Sequence, residues 1–172
     1  MLKVKLVVNQ DGKTLAIEME SSGDSLLGFE KKPTTKFQKS VYQKVKSLWE
    51  TKFMSLVQLN KGTNCRVLET SFNMEFETHE EEHDHHHHGH HHKKKKEEHH
   101  SEILAKASIS CTKSLANTEA IIKLKPQFNE TLKSLYLKKR SHFIKKTNLE
   151  VIPTDGKSYI KKTKDNTFKI KL

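Results

Sequence analysis

The sequence predicts an α+β protein: a small scaffold of two pseudo-repeated sheet-plus-helix halves, built from antiparallel hairpins and joined by a long disordered His-rich loop. Three observations lead to this prediction. Short alternating apolar segments flank two Asp-Gly pairs, at residues 11–12 and 155–156, and such pairs favour hairpin turns. Apolar residues at helical spacing follow Pro33. Residues 79–100 contain eleven of the chain's twelve histidines.

The length of 172 residues fits one domain. We expect a single domain at 1–172, with an N-terminal half at 1–77, the His-rich loop at 78–101 and a C-terminal half at 102–172. Apolar residues make up 33% of the chain, and the mean hydropathy of −0.78 is low for a compact domain. The polar central segment contributes to that low value, and the apolar residues outside it suffice for a modest core.

The N-terminal half opens with a predicted hairpin. Apolar and polar residues alternate at 2–8 and 15–19, on either side of the first Asp-Gly turn. A glycine-containing loop is expected at 21–33. The residues after Pro33 predict a helix that ends near residues 50–53, and its apolar face consists of Phe37, Val41, Val45, Leu48 and Trp49. The next stretch, FMSLVQL, predicts a short apolar element.

Two predicted strands bracket the His-rich loop. In residues 65–77 the apolar set is Val67, Phe72, Met74 and Phe76, and the alternation slips between Leu68 and Phe72, which predicts a bulge. Residues 102–112 place Ile103, Ala105, Ala107, Ile109 and Cys111 on one face. We expect these strands to pair antiparallel. A connection of more than about 20 residues is typical of functional or disordered segments, and we predict both.

The C-terminal half is patterned less clearly. Residues 114–130 suit either a short helix or a strand, and Pro126 argues against one unbroken helix. The sequence LKSLYLKK at 132–139 predicts a strand. Two short alternating strands are expected at 157–163 and 167–172, separated by a turn.

The charge distribution limits the partners of the chain. The net charge is +5 for residues 1–74, −5 for residues 75–102 and +11 for residues 103–172. A basic C-terminal third suits nucleic acid or anionic lipid. Its lysines are scattered as on solvated strand faces, however, few aromatic residues lie among them, and no nucleic-acid motif is present. We therefore predict no nucleic-acid partner.

No membrane span is predicted, because no stretch reaches the roughly 18 apolar residues that one requires. Met1 leads directly into an alternating strand, without the basic region, apolar run and cleavage site of a signal peptide. The chain is therefore expected to be either intracellular or a mature form that carries an added or retained Met.

The His-rich segment indicates metal binding, because neutral imidazole is the commonest protein ligand for zinc, copper and nickel. The predicted ligands are His79, His83, Asp84, His85, His86, His87, His88, His90, His91, His92, His99 and His100. Together with Glu80, Glu81 and Glu82 they could fill roughly two to four sites. The run has no fixed spacing, so selectivity should be modest, with copper and nickel competing by intrinsic affinity. The alternative is a polar linker whose histidines bind nothing.

No enzymatic activity is predicted. A catalytic zinc needs three fixed ligands on rigid elements and one open position. The histidine run has no fixed spacing and lies on no predicted helix or strand, so it does not supply that arrangement.

Cys65 and Cys111 lie at the outer ends of the two strands that bracket the loop. If those strands pair, the two cysteines approach each other. Three outcomes stay open from the residues alone: a disulfide in an oxidising compartment, two buried free thiols, or two thiolate metal ligands.

A family resemblance adds to this reading. At residues 21–35, SSGDSLLGFEKKPTT, the chain resembles the ZrgA-like family of periplasmic zinc-uptake proteins. The most specific piece is Gly28-Phe29-Glu30 with Pro33. The order of the later features agrees as well: a helix, a cysteine, a His-rich insertion and a strand that ends in a second cysteine.

The resemblance implies an exported α/β protein that binds zinc in the periplasm and hands it to the solute-binding component of a zinc ABC transporter. It also implies a disulfide between Cys65 and Cys111. Two departures reduce the set of ligands. Met1-Leu2 stands where the family has a short histidine-containing motif, and Lys31 stands where histidine often follows the GFE motif.

The sequence thus predicts a periplasmic zinc-binding protein that buffers or delivers zinc through its His-rich loop. The alternatives are a nickel- or copper-binding storage protein and a protein-interaction module with an inert His-rich linker.

Overall fold

The computed structural model describes residues 1–76, 100–137, 143–153, 159–164 and 166–172. Within these ranges the chain forms nine strands and four α-helices. In chain order they are β1 Leu2–Val8, β2 Thr14–Ser22, α1 Gly23–Leu27, α2 Lys36–Thr51, α3 Phe53–Leu56, β3 Val57–Leu59, β4 Cys65–Phe76, β5 Ser101–Cys111, β6 Glu119–Ile122, α4 Leu124–Tyr136, β7 Thr147–Ile152, β8 Tyr159–Lys162 and β9 Phe168–Lys171.

The described strands form two sheets, and the predicted α+β class is confirmed. The larger sheet has the order β4-β5-β2-β1-β7, and the smaller one β3-β6-β9-β8. The pairing is antiparallel throughout, except that β7 runs parallel to β1. The predicted division into two sheet-plus-helix halves differs from this topology, because each sheet combines strands from both sides of the His-rich segment. Long-range pairing of β1 with β7 and of β3 with β6 joins the halves into common sheets.

The opening hairpin forms as predicted. On β1 every second residue from Leu2 to Val8 is buried, and these residues pair with the buried residues of β2. The carboxylate of Asp11 accepts hydrogen bonds from the backbone N–H groups of Lys13 and Thr14, at 2.8 and 3.0 Å. Gly12 adopts φ 66°, a conformation that glycine reaches without steric cost.

The predicted helix after Pro33 is α2, and its ends follow from local chemistry. Thr35 is the N-cap and forms a capping box with Gln38. The buried face contains Val41, Val45, Leu48 and Trp49, as the spacing predicts, whereas Phe37 at the start of the helix is 46% exposed. The indole Nε1 of Trp49 donates a hydrogen bond to the backbone oxygen of Lys106 at 3.0 Å, which attaches α2 to the larger sheet.

Two predictions for other segments are corrected. Residues 132–136 form the end of α4 rather than a strand, because Leu124, Phe128 and Leu132 repeat every four residues and are all buried. Pro126 lies in the first turn of α4, where no intrahelical partner is lost. The expected loop at 21–33 contains α1, whose Leu26 and Leu27 are fully buried.

The two strands that bracket the His-rich segment pair antiparallel, as predicted. The expected bulge lies at Leu68, where the register between β4 and β5 shifts and the Leu68 side chain is 52% exposed. On β5, the alternate residues from Ile103 to Cys111 are buried, which confirms the predicted apolar face. The short strands β8 and β9 are also confirmed, whereas β7 was not foreseen.

Candidate metal-binding region

Most of the predicted metal ligands lie outside the described residues. This holds for the eleven predicted ligands from His79 to His99, Asp84 among them, so their role in metal binding stays a prediction. His100 is described, and it lies exposed immediately before β5. Among the described residues, no three His, Cys, Asp or Glu side chains are arranged to hold a metal ion.

Both ends of the His-rich segment are attached at one place. Phe76, the last residue of β4, is the cross-strand partner of Ser101, the first residue of β5. The preceding pair joins Glu75 to Glu102. We call these four residues the base of the segment. Because cross-strand partners lie about 4.5–5.5 Å apart, the chain leaves and re-enters the scaffold at neighbouring positions.

Glu30 fixes the base to the rest of the scaffold. Its Oε2 accepts hydrogen bonds from the backbone N–H of Ser101 at 3.0 Å and from the Ser101 hydroxyl at 3.3 Å. Its Oε1 accepts a third hydrogen bond from the backbone N–H of Asp24 at 3.2 Å. Ser101 is only 3% exposed. One carboxylate therefore joins the start of β5 to the start of α1, and hydrogen bonds to a charged acceptor are the stronger kind.

Two glycines make this arrangement sterically possible. A Cβ atom on Gly23 would lie 2.2 Å from the Ser101 hydroxyl and 2.7 Å from the Phe29 carbonyl oxygen. Gly28 ends α1 with φ 90°, and its N–H donates to the carbonyl oxygens of Asp24 and Gly23. This turn directs Phe29 and Glu30 back toward β5. The Gly28-Phe29-Glu30 sequence is thus the element that holds the base of the His-rich segment.

The solvent-exposed side of the base is acidic. Glu20 lies close to Glu102, and Lys3 forms an ion pair with Glu20. The hydrogen bond from Lys3 lowers the pKa of the Glu20 carboxyl. Partial burial and the neighbouring Glu20 raise the pKa of Glu102. The carboxyl groups of Glu75, Glu102 and Glu20 thus lie together at the exposed side of the base, with Lys3 as the counter-charge of Glu20.

A disulfide closes the opposite end of the same hairpin. Cys65 and Cys111 are cross-strand partners and are bonded to each other, as the family resemblance implies. Their sequence separation is 46 residues. In the chain-entropy account, closing a loop of that length raises the free energy of the unfolded state by about 4 kcal/mol. The β4–β5 hairpin is therefore bonded at both ends, by Glu30 at the base and by the disulfide at the other end.

The family model for ZrgA family zinc uptake proteins matches residues 3–138. The chain belongs to this family. The match covers the Gly28-Phe29-Glu30 turn, the His-rich segment and both bracketing strands, so the resemblance drawn from the sequence is confirmed. No curated protein matches the chain. Membership in a zinc uptake family gives the protein a role in zinc uptake, and none of the described helices is long and apolar enough to cross a membrane.

In the sequence, Glu30 stands out only as part of a family signature, and neither Gly23 nor Ser101 belongs to a motif that predicts this contact. The Gly-Phe-Glu sequence after a short apolar stretch was the available signal for a functional turn at Glu30. The sequence did not show which residue Glu30 contacts, since Ser101 lies 71 residues away.

Proposed function

We propose that this ZrgA family protein binds zinc through the His-rich segment, residues 79–100, and buffers zinc or delivers it to the uptake system. The observation that carries the proposal is the pairing of Phe76 with Ser101. A metal-collecting segment whose two ends meet at one fixed base is presented at one end of the molecule. The folded core then keeps its packing whether or not metal is bound.

The donor set supports zinc as the cargo. Imidazole nitrogens and carboxylate oxygens are the ligands that zinc takes in proteins, and a tetrahedral site needs only four of them. The segment supplies eleven histidines, and the acidic base adds Glu75 and Glu102 beside its ends. We infer capacity for several ions and rapid exchange, as buffering or delivery requires. No catalytic step is proposed, because nothing in the sequence fixes three ligands around an open position.

The disulfide supports an oxidising location. Disulfides persist outside the cytoplasm and are rare within it. We therefore place the protein in the periplasm. Delivery there would be to the solute-binding component of a zinc ABC transporter.

A zinc titration against a chromogenic chelator tests the proposal. The intact protein is compared with a variant in which residues 79–100 are replaced by a Gly/Ser linker of equal length, so that the hairpin connection is preserved. We expect the intact protein to bind roughly two to four zinc ions and the variant to lose nearly all of them. Equal binding by both proteins would assign the metal to the scaffold and contradict the proposal. If neither protein bound zinc, the family match would give information about the fold alone.

Competition with nickel and copper distinguishes the metals. Copper is expected to bind more tightly than zinc to nearly any nitrogen site, so raw affinity does not decide the cargo. The deciding measurement is zinc accumulation by cells that lack the protein, restored by the intact chain and not by the Gly/Ser variant. Restoration by the Gly/Ser variant would favour an interaction module with an inert linker.

A further inference from the structure

The larger sheet ends in the strand β7, and one side of β7 has no partner strand among the described residues. The opposite end of that sheet is β4, and the smaller sheet ends in β3 and β8. Edge strands present unpaired N–H and C=O groups, and proteins usually protect them with charged side chains, bulges or short strand length. The protection of each edge therefore indicates which one is open to pairing with another chain.

Three of the four described edges carry such protection. β4 contains the bulge at Leu68 and three charged residues. β3 is only three residues long, and two of the four residues of β8 are lysines. β7 has six residues, and Glu150 is the only charged one among them. β7 is thus the edge that resists an added strand least.

The pairing of β7 with β1 fixes which backbone groups of β7 point outward. β7 runs parallel to β1, and the N–H of Leu2 donates to the carbonyl oxygen of Lys146 at 2.9 Å. Along a strand, successive residues direct their backbone groups to opposite sides, so the even-numbered residues of β7 bond to β1. The N–H and C=O groups of Thr147, Leu149 and Val151 therefore point to the open side. No described residue bonds to these groups.

A second copy of β7 pairs with all of these outward groups at once. When two copies run antiparallel about a two-fold axis at Leu149, each Leu149 opposes the other, and Thr147 of either copy opposes Val151 of the second. Opposed residues whose backbone groups face each other exchange two hydrogen bonds. Each of the three opposed pairs does so, and no outward group of either strand is left unpaired.

The side chains agree with this register. On the inner face, Leu149 is half-buried in the single chain, and Leu149 of the second copy would cover it. On the outer face, exposed Asn148 opposes Glu150 of the second copy, so no like charges are directly opposed within the paired strands. A two-fold axis at Glu150 would oppose that residue to itself, and an axis at Asn148 would leave Val151 outside the overlap of the two strands. The axis at Leu149 is therefore favoured.

We propose that the open side of β7 is a dimerisation edge and that the strand it accepts is β7 of a second copy of this chain. The two larger sheets then join into one continuous sheet. A two-fold dimer is the commonest symmetric assembly, and its interface uses the same self-complementary patch on both subunits. The base of the His-rich segment lies on β4 and β5, so the dimer carries one base near each outer edge of the joined sheet.

Sedimentation equilibrium of the full chain over a range of concentrations tests the proposal. The buffer contains a metal chelator, because histidines of two molecules can share one metal ion. We expect a reversible equilibrium between monomer and dimer. Hydrogen exchange at the amides of Thr147, Leu149 and Val151 should slow at concentrations that favour the dimer. The amides of the even-numbered residues of β7 should be protected in both states, because they bond to β1.

Charge substitutions on the outer face test the register. Asn148→Glu sets a carboxylate opposite Glu150 of the second copy at two symmetry-related places, and the dimer affinity should fall about tenfold. Within one chain the substituted position neighbours Lys3 on β1, so the melting temperature should not fall. Adding Glu150→Lys makes the opposed charges unlike, and the affinity should return to within about threefold of the wild type.

The matched control is Asn73→Glu, the same change at an exposed position of β4 on the same face of the sheet, and it should alter the dimer affinity by less than about twofold. Three results would overturn the proposal: a monomer at every concentration up to about 1 mM, unchanged affinity in the Asn148→Glu variant, or equal weakening by Asn73→Glu. If the substituted chains fold poorly, hydrogen exchange of the wild type decides. Unchanged exchange at Leu149 on dimerisation would place the interface elsewhere and overturn the proposal.

Discussion

At the scale of single residues, Glu30 makes the contact on which the position of the His-rich segment depends. Its carboxylate accepts from Ser101 and Asp24, and Ser101 is buried. Replacement by glutamine keeps the size of the side chain and removes its charge. It also places the NH2 group of the new amide, a hydrogen-bond donor, opposite the N–H group of Ser101 or Asp24, which is a donor too. We expect Glu30→Gln to lower the free energy of unfolding by about 1–3 kcal/mol in urea denaturation.

The control for Glu30 is Glu69→Gln, which removes an exposed carboxylate from β4 and should stay within about 0.5 kcal/mol of the wild type. Hydrogen exchange at the Ser101 amide gives a local readout, and it should be faster in the Glu30 variant. Unchanged exchange at Ser101 would show that the amide is protected by other contacts.

Gly23 is the second residue whose identity the base requires. Gly23→Ala places a methyl group against the Ser101 hydroxyl and the Phe29 carbonyl oxygen, and we expect a loss of about 1–3 kcal/mol of unfolding free energy. Adding Ser101→Ala removes one of these two contacts. The double variant should therefore lose less stability than the sum of the single variants, as measured by a double-mutant cycle. Strict additivity would contradict the predicted contact.

At the scale of elements, the β4–β5 hairpin is stabilised independently at its two ends. Replacing both cysteines, Cys65→Ser with Cys111→Ser, should lower the unfolding free energy by about 2–5 kcal/mol. The number of zinc ions bound by the folded protein should stay the same, because the disulfide lies at the far end of the hairpin from the base. Wild-type protein under a reducing agent is the matched control for stability and should reproduce the loss of unfolding free energy. A loss of zinc equivalents in the folded variant would indicate that the disulfide end contributes to metal binding.

Elements with a local signal were predictable, and those without one were not. The hairpin at Asp11-Gly12 and α2 after Pro33 follow from turn chemistry, capping and periodicity within a few residues. The prediction of a strand in the C-terminal part of α4 was wrong because Leu135 and Leu137 give an apparent alternation. That alternation hid the four-residue repeat of the buried residues. Pro126 added to the error, although a proline in a first turn is compatible with a helix.

At the scale of the whole molecule, the topology depends on pairings that no local pattern contains. β7 was missed because its six residues carry a weak alternation, and its place beside β1 is fixed only by the parallel pairing. The same holds for the base: the sequence indicated two bracketing strands, while the contact of Glu30 with Ser101 joins distant segments. The donor set of residues 79–100 stays a prediction from composition, because nearly all of these residues lie outside the part of the chain that the structure describes.

Zinc binding by the whole protein should depend on pH in the direction that imidazole chemistry sets. Imidazole binds metal only when neutral, and its ordinary pKa is about 6.5. Affinity should therefore be nearly constant above about pH 7.5 and fall steadily as the pH drops below about 6.5. Titrations across this range on the intact protein check the trend, with the Gly/Ser variant as the background. A flat profile would exclude histidine as the principal ligand.

The most direct measurement of the central claim is zinc titration followed by NMR of uniformly ¹⁵N-labelled protein. The imidazole nitrogens report on the His-rich segment, and the backbone amides of β1, β2 and α2 report on the scaffold in the same sample. We expect the imidazole signals of residues 79–100 to shift with the first zinc equivalents while the scaffold amides stay in place. Shifts confined to scaffold amides, with unchanged imidazole signals, would contradict the assignment of zinc binding to this segment.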